Sequence, residues 1–237
     1  MTKSNQLVVI SGGSKGIGRA TIERFAAEGY DVATCARNAD ELAQMKGEVE
    51  ARFGTKVHVM AADLSNKGET MTFIDFVKGL KREVGVLINN TGRFVPAPIH
   101  TEEEGLLESM IATNLYSAYY LSRAFIPEMK ARKSGHIFNV CSVASIKAYP
   151  TGGSYSISKF AIYGLSKGLR EEMKPFGVRV TSILPGATQT SSWDGEEVQE
   201  GRLMKPEDIA ELIWVSFSLS TRSVVEDIVV RPQLGDI

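Results

Sequence analysis

Short apolar runs separated by stretches of helical periodicity recur along most of the chain. Runs rich in Val, Ile and Leu lie at Leu7 to Ser11, Asp31 to Ala36, Val57 to Ala62, Val86 to Asn89, His136 to Cys141, Val178 to Leu184 and Val224 to Val230. They are nearly continuous rather than alternating, which predicts seven strands buried on both faces. Between them apolar positions step by three or four. Leu42, Met45, Val49 and Phe53 do so before Gly54, and Phe73, Val77, Leu80 and Val84 before Gly85, as helices ended by glycine would. Longer helices are expected from Glu103 to Lys130 and from Ser154 to Lys174. Strand and helix in alternation predict an α/β fold, a doubly wound parallel seven-stranded sheet with helices on both faces.

Composition narrows the reading. With 237 residues, 43% of them hydrophobic, the chain can bury one sizeable core, and no linker or repeat divides it, so residues 1–237 are read as one domain. The least regular stretch, Ala187 to Met204, is polar and is expected to be a flexible substrate loop. A net charge of −1 with both signs interspersed leaves no footprint for nucleic acid or an anionic membrane. No apolar run approaches the roughly 18 residues of a spanning helix, so a cytoplasmic protein with no membrane partner is expected. Cys35 and Cys141 are far apart in sequence and lack metal-ligand spacing; they are read as buried free thiols, and no metal site is expected.

Candidate chemistry starts at Ser11-Gly12-Gly13-Ser14-Lys15-Gly16-Ile17-Gly18, which follows the first strand and opens a helix. Glycines there let backbone N–H groups approach a pyrophosphate, and the positive helix end favours the anion. The spacing of Gly12, Gly16 and Gly18 is wider than the usual G-x-G-x-x-G. Nineteen residues after Gly18, where an NAD site usually carries a carboxylate, stands Arg37, preceded by Ala36. With Lys15 in the loop, this favours the 2′-phosphate of NADP(H). Asp63 after the third strand is either a turn former or a carboxylate for the adenine amino group. Asn90 is either a turn residue or a polar clamp.

Two Tyr/Lys pairs stand at helical i, i+4 spacing, Tyr155 with Lys159 and Tyr163 with Lys167. An ammonium on the same helix face favours phenolate and readies a tyrosine to exchange a proton. Tyr155 starts its helix just beyond the loop returning from Ser142, at the strand ends where ligands lie in such sheets, and is the expected catalytic member. Tyr163, two turns on, is read as packing or interface.

Taken together these motifs resemble the short-chain dehydrogenase/reductase family over nearly the whole chain. The family's glycine loop corresponds to Ser11 through Gly18, its N-N-A-G to Asn89 through Gly92, and its helix Asn to Asn114. Its Ser thirteen residues before the Tyr is Ser142, its Y-x-x-x-K is Tyr155 and Lys159, and its P-G followed by Thr is Pro185, Gly186 and Thr190. Ser11 stands for Thr and Thr91 for Ala. The resemblance implies a Rossmann fold and hydride transfer between NADP(H) and a carbonyl or alcohol. Tyr155 would protonate the developing alkoxide, Ser142 would hydrogen-bond the same oxygen, Lys159 would hold the nicotinamide ribose, and Asn114 would position a water linking Lys159 to solvent. The cofactor would also meet Ser14, Ile17, Asp63, Leu64, Gly92 and Thr188. The tail from Val224 to Pro232 and the Pro185 to Ala210 stretch look like the sepiapterin-reductase-like branch. The tail lacks the D-G-G ending usual in 3-oxoacyl-carrier-protein reductases, which remain an alternative, as does a non-catalytic NADP(H)-sensing protein. Phe94, Tyr149, Trp193 and Met204 are candidate pocket walls. The family implies a homotetramer or homodimer, and Tyr116, Tyr119, Tyr120, Phe160, Tyr163 and Leu165 offer apolar surface for it.

Overall fold

The computed structural model describes residues 6–193, 195 and 197–236. Strands β1 (Gln6–Ser11), β2 (Asp31–Ala36), β3 (Val57–Ala61), β4 (Glu83–Asn89), β5 (Gly135–Val140), β6 (Val178–Pro185) and β7 (Asp227–Val230) form one sheet in the order β3-β2-β1-β4-β5-β6-β7. Every pairing is parallel. The helices are α1 (Gly16–Ala27), α2 (Ala39–Phe53), α3 (Lys67–Gly79), α4 (Leu106–Ile111), α5 (Ser117–Arg132), α6 (Gly153–Met173) and α7 (Pro206–Ser218). A π-helical turn, Ala112–Tyr116, joins α4 to α5. Among the described residues no helix is long and apolar enough to cross a membrane.

The continuous apolar runs have a simple cause. Successive side chains of a strand point to opposite faces, and here each face is covered. On one, Val8, Ile10, Val86 and Ile88 join Ile22 and Phe25 of α1, Met45 of α2 and Ile209 of α7. On the other, Leu7, Val9, Leu87 and Ile137 join Phe73 of α3, Phe125 of α5 and Leu169 of α6. The strand order reverses between β1 and β4, and it is at such a switch point that doubly wound sheets bind ligands.

The structure corrects three boundaries. Val84, expected to close the third helix, lies in β4, because Gly85 is not a helix stop. Leu7 pairs with Val84 and Val8 with Val86, so Gly85 is the extra residue of a bulge against β1, where a Cβ would come within 3.0 Å of the Gln6 side chain. The last strand begins at Asp227, not Val224. The helical segment starts at Leu106, after Gly105 in a left-handed conformation (φ 84°), rather than at Glu103, and runs on to Arg132.

Polar groups cross the second core in a chain. Asn89 Nδ2 donates to Ser122 Oγ at 3.1 Å and to Asn139 Oδ1 at 2.8 Å. Asn139 Nδ2 donates to Ser166 Oγ at 3.0 Å, which also accepts from Ser182 Oγ at 2.9 Å. The chain thus ties β4, β5 and β6 to α5 and α6.

His136 of β5 is a second buried polar group. Thr181 Oγ1 donates to Val225 O at 2.6 Å, so the 2.8 Å contact from His136 Nε2 to Thr181 Oγ1 is an N–H donated by the ring. Nδ1 is buried without a partner. Burial, and then the charge of Arg179, hold the imidazole well below its usual pKa, so the fold keeps it neutral. The unfolded chain takes up a proton as pH falls through about 6.5 and the native state does not, so stability present above that pH is lost below it. The midpoint of urea unfolding is expected to fall between pH 7.5 and 5.5, as the free energy of unfolding drops by on the order of 1 kcal/mol per pH unit below the unfolded pKa. His136→Gln, which keeps a donor for Thr181, should flatten that slope; an equal slope in both proteins would remove His136 as its source.

Candidate active site

The turn from β1 into α1 is built for close approach. A Cβ on Gly18 would lie 2.1 Å from Gly12 O, and one on Gly13 2.1 Å from Thr34 Oγ1. The N-termini of α2 and α3 are capped by Asn38 and Asn66 and carry acidic residues in their first turns. That of α1 has neither: Lys15 makes no side-chain cap, and no carboxylate stands in the first turn. An uncapped helix end at the switch point leaves its N–H groups and partial positive charge to an anion. Gly16 and Ile17 are half-buried there, and Ser14 lies at the same turn.

Arg37 is exposed at the end of β2 with Asn38 beside it. Lys15 pairs with Glu41 of α2 at 2.8 Å, and Asn38 Nδ2 donates to the same carboxylate at 3.2 Å. The Lys15 ammonium, with smaller help from Ser14 and Asn38, holds the Glu41 carboxyl below its usual range. Asp63 acts as a turn former: its Oδ1 accepts from Ser65 N at 2.9 Å, and its own N–H goes to Glu69 Oε2 at 2.7 Å. Leu64 next to it is buried.

Asn90 is a clamp on the glycine loop. Its Nδ2 donates to Ser11 O and Gly12 O, each at 3.0 Å. Ser11 Oγ in return accepts from the backbone N–H of Asn90 (3.0 Å) and Thr91 (2.9 Å). This explains why Ser serves where the related motif has Thr, since the hydroxyl is what ties the β1 and β4 loops together.

Beyond β4 and β5 the reactive groups converge. Lys159 is 5% exposed; its Nζ donates to Val140 O at 3.0 Å and lies 5.8 Å from the Tyr155 ring centroid. A Cβ on Gly92 would sit 3.4 Å from Lys159 Nζ and 3.5 Å from Asn114 Oδ1, so all three face one small space. Asn114 lies in the π-helical turn, and its amide braces the β4 loop: Oδ1 accepts from Arg93 N (2.7 Å), and Nδ2 donates to Arg93 O (3.0 Å) and to Ser158 Oγ (2.8 Å). Ser158 Oγ donates to Tyr155 O at 2.7 Å, linking that brace to the Tyr. Ser142 is fixed by a reciprocal capping box with Ser145, its Oγ accepting from Ala144 N at 3.1 Å. That contact uses the oxygen as acceptor and leaves the O–H to donate elsewhere.

The second Tyr/Lys pair lies elsewhere. Lys167 is ion-paired with Asp227 of β7 while lying 5.1 Å from the Tyr163 ring, so it fastens α6 to the edge strand. Phe94 meets Tyr155 edge-on at 4.8 Å between ring centroids. Tyr149 is partly exposed, and burial pushes its phenol above the usual value. Pro185 ends β6, Gly186 N bonds to Val230 O at 2.8 Å, and Thr188 Oγ1 donates to Gly186 O at 3.0 Å. Thr190 lies against Gly16, where a Cβ would meet its Cγ2 at 3.0 Å. Trp193 ends the short helical turn Ser191–Trp193. Met204 is 9% exposed and packs in the core with Ile209 and Ile213, while its backbone pairs with Ala187 and Gln189 and closes the base of the excursion. Asp194 and Glu196 of that excursion lie outside the described residues. Sequence reasoning passed over Ser145, Ser158 and Glu41. Only Glu41 left a signal, as the fourth residue of an Asn-x-x-Glu cap.

A family model described as short chain dehydrogenase matches residues 6–200. The chain belongs to that family, and it is an oxidoreductase. It is 31% identical over 241 residues to the sepiapterin reductase of Chlorobaculum tepidum, covering 98% of each chain. An alcohol dehydrogenase from the archaeon Thermococcus sibiricus, complexed with 5-hydroxy-NADP, superposes with a TM-score of 0.91 at 26% identity over 98% of both chains. A metagenomic short-chain oxidoreductase in complex with NADP gives 0.84 at 31% identity, over 97% of both. The Rossmann fold and the resemblance read from the motifs agree with these relatives.

Proposed function

We propose that the protein uses NADPH to reduce a small-molecule carbonyl compound to an alcohol, with a flat heterocyclic or aryl ketone of the sepiapterin kind as substrate. Buried Lys159, which stands beside the Tyr155 ring and shares with Asn114 the space at Gly92, carries this reading. The chain's residues fit the cofactor: α1 offers an uncapped N-terminus, and the turn into it packs so closely that Gly13 and Gly18 have no room for a Cβ. When bound, the reduced nicotinamide supplies a hydride to the carbonyl carbon. Tyr155 donates its phenolic proton to the carbonyl oxygen, and Ser142 Oγ–H hydrogen-bonds the same oxygen as charge develops on it. Lys159 holds the ribose hydroxyls and restores the Tyr155 proton. Arg37 is the principal cation for the 2′-phosphate, with Lys15, paired to Glu41, beside it. The edge-on Phe94 beside Tyr155 favours a flat substrate over a long acyl chain. A protein that only sensed the dinucleotide could use Lys159 on the ribose but would not need the Tyr155 hydroxyl as a proton donor. Buried Cys35 and Cys141, their thiols pushed up to about 12 by burial, suit a reducing cytoplasm.

Absorbance of NADPH, followed with sepiapterin, acetophenone and acetoacetyl thioesters side by side, tests the reading. Turnover confined to the thioesters would favour a 3-oxoacyl reductase, and none with any carbonyl would favour a sensor.

A homodimer or homotetramer is part of the same proposal. Tyr116, Tyr119 and Phe160 stand 48%, 38% and 46% exposed on the π-helical turn, α5 and α6, and offer apolar surface to a second copy. Light scattering at micromolar concentration is expected to give two or four times the 25.9 kDa subunit mass. A monomer mass would overturn it.

A further inference from the structure

Glu102 lies in the segment between β4 and α4, just after the short helical turn Ile99–Thr101, far in sequence from the catalytic helix. Its carboxylate nonetheless reaches the first turn of α6. Oε1 accepts from Ser154 N at 2.6 Å and Oε2 from Ser154 Oγ at 2.5 Å, one residue before Tyr155. α6 has no side-chain cap of its own, so this carboxylate supplies one from outside, at the helix end that attracts negative charge. Two further contacts lie along the same seam. Ala97 N donates to Thr151 O at 2.9 Å, and Phe94 meets the Tyr155 ring edge-on at 4.8 Å. Gly153 lies in the seam with φ 29°. A Cβ there would fall 2.0 Å from Glu102 Oε1 and 2.4 Å from Ala97 O, so the two segments approach as closely as a bare backbone permits.

We propose that Glu102 is a positioning residue that latches residues 93–102 onto the first turn of α6 and so sets Phe94 against Tyr155, forming the substrate-facing wall beside the proton donor. The proposal rests on the reading of Tyr155 as that donor. The latch touches neither the glycine loop nor Arg37, so it sets the affinity for the carbonyl compound and not for the dinucleotide.

Hydrogen exchange tests the latch without turnover. In Glu102→Ala, peptides covering 93–102 and 151–156 should exchange at least tenfold faster than in the wild type, while those of β1 and α1 stay unchanged. Glu102→Gln keeps an acceptor for one of the two bonds and should restore at least half of the lost protection. Gly153→Ala, whose Cβ would push the Glu102 carboxylate and Ala97 away without removing either, should loosen the same peptides. Kinetics with sepiapterin or acetophenone should give a carbonyl KM raised at least fivefold in Glu102→Ala, with the NADPH KM within twofold of the wild type. Unchanged exchange at 93–102, or an NADPH KM rising in step with the carbonyl KM, would overturn the latch. A wild-type protein that reduces neither ketone nor the acetoacetyl thioesters would instead sink the reading of Tyr155, and the exchange result would still decide the latch.

Discussion

Tyr155→Phe is expected to lower kcat by roughly 10²–10⁴-fold, the range contributed by a positioned general acid, while NADPH affinity measured by fluorescence titration stays near that of the wild type. The substitution removes one oxygen and leaves the ring that meets Phe94, so the helix start and the cofactor cradle should be undisturbed. Tyr163→Phe is the matched control. It stands at the same spacing from a lysine, but that lysine is held by Asp227 at the sheet edge, and turnover should change little. If Tyr163→Phe were the damaging change, the assignment of the two pairs would have to be reversed.

The second large effect is expected at the adenosine end. Lys15 is already engaged by Glu41, so Arg37 is left as the principal cation for a 2′-phosphate. Losing a charge-assisted, two-pronged contact should raise the NADPH KM of Arg37→Ala about tenfold or more, with the NADH KM hardly moved because NADH has no phosphate there. The comparison is of kcat/KM with both dinucleotides in both proteins. Equal use of NADPH and NADH by the wild type would defeat the premise.

Much of the fold was legible because it is written in local patterns. Buried parallel strands must be apolar on both faces, so Leu7 to Ile10 and Val178 to Leu184 announce themselves, and helices facing such a sheet carry the step of Leu42, Met45 and Val49. The errors fall where one residue has two possible meanings. Gly85 reads as a helix stop and is a strand bulge, because only the β1 partner distinguishes the two. In the site, residues that act by chemical type at fixed spacing, such as Tyr155 with Lys159, could be found from the sequence. Those that act by reaching across the fold could not. Nothing around Glu102 points to Ser154, and nothing around Asn114 points to the Arg93 backbone, since those contacts exist only after the chain has closed.

The polar chain through Asn89, Asn139, Ser166 and Ser182 bears on how the domain assembles. Its members come from β4, β5, β6, α5 and α6, so no subset of these elements can bury its share without stranding an amide or hydroxyl. A stranded buried group costs about 1–3 kcal/mol, a large part of the margin by which a domain of this size is stable. A half-formed sheet ending at β5 is therefore penalised in a way that an all-apolar core would not impose. The half of the sheet from β4 to β6, with α5 and α6, should unfold in one transition, and the floor beneath Tyr155 and Lys159 should have no separately melting part.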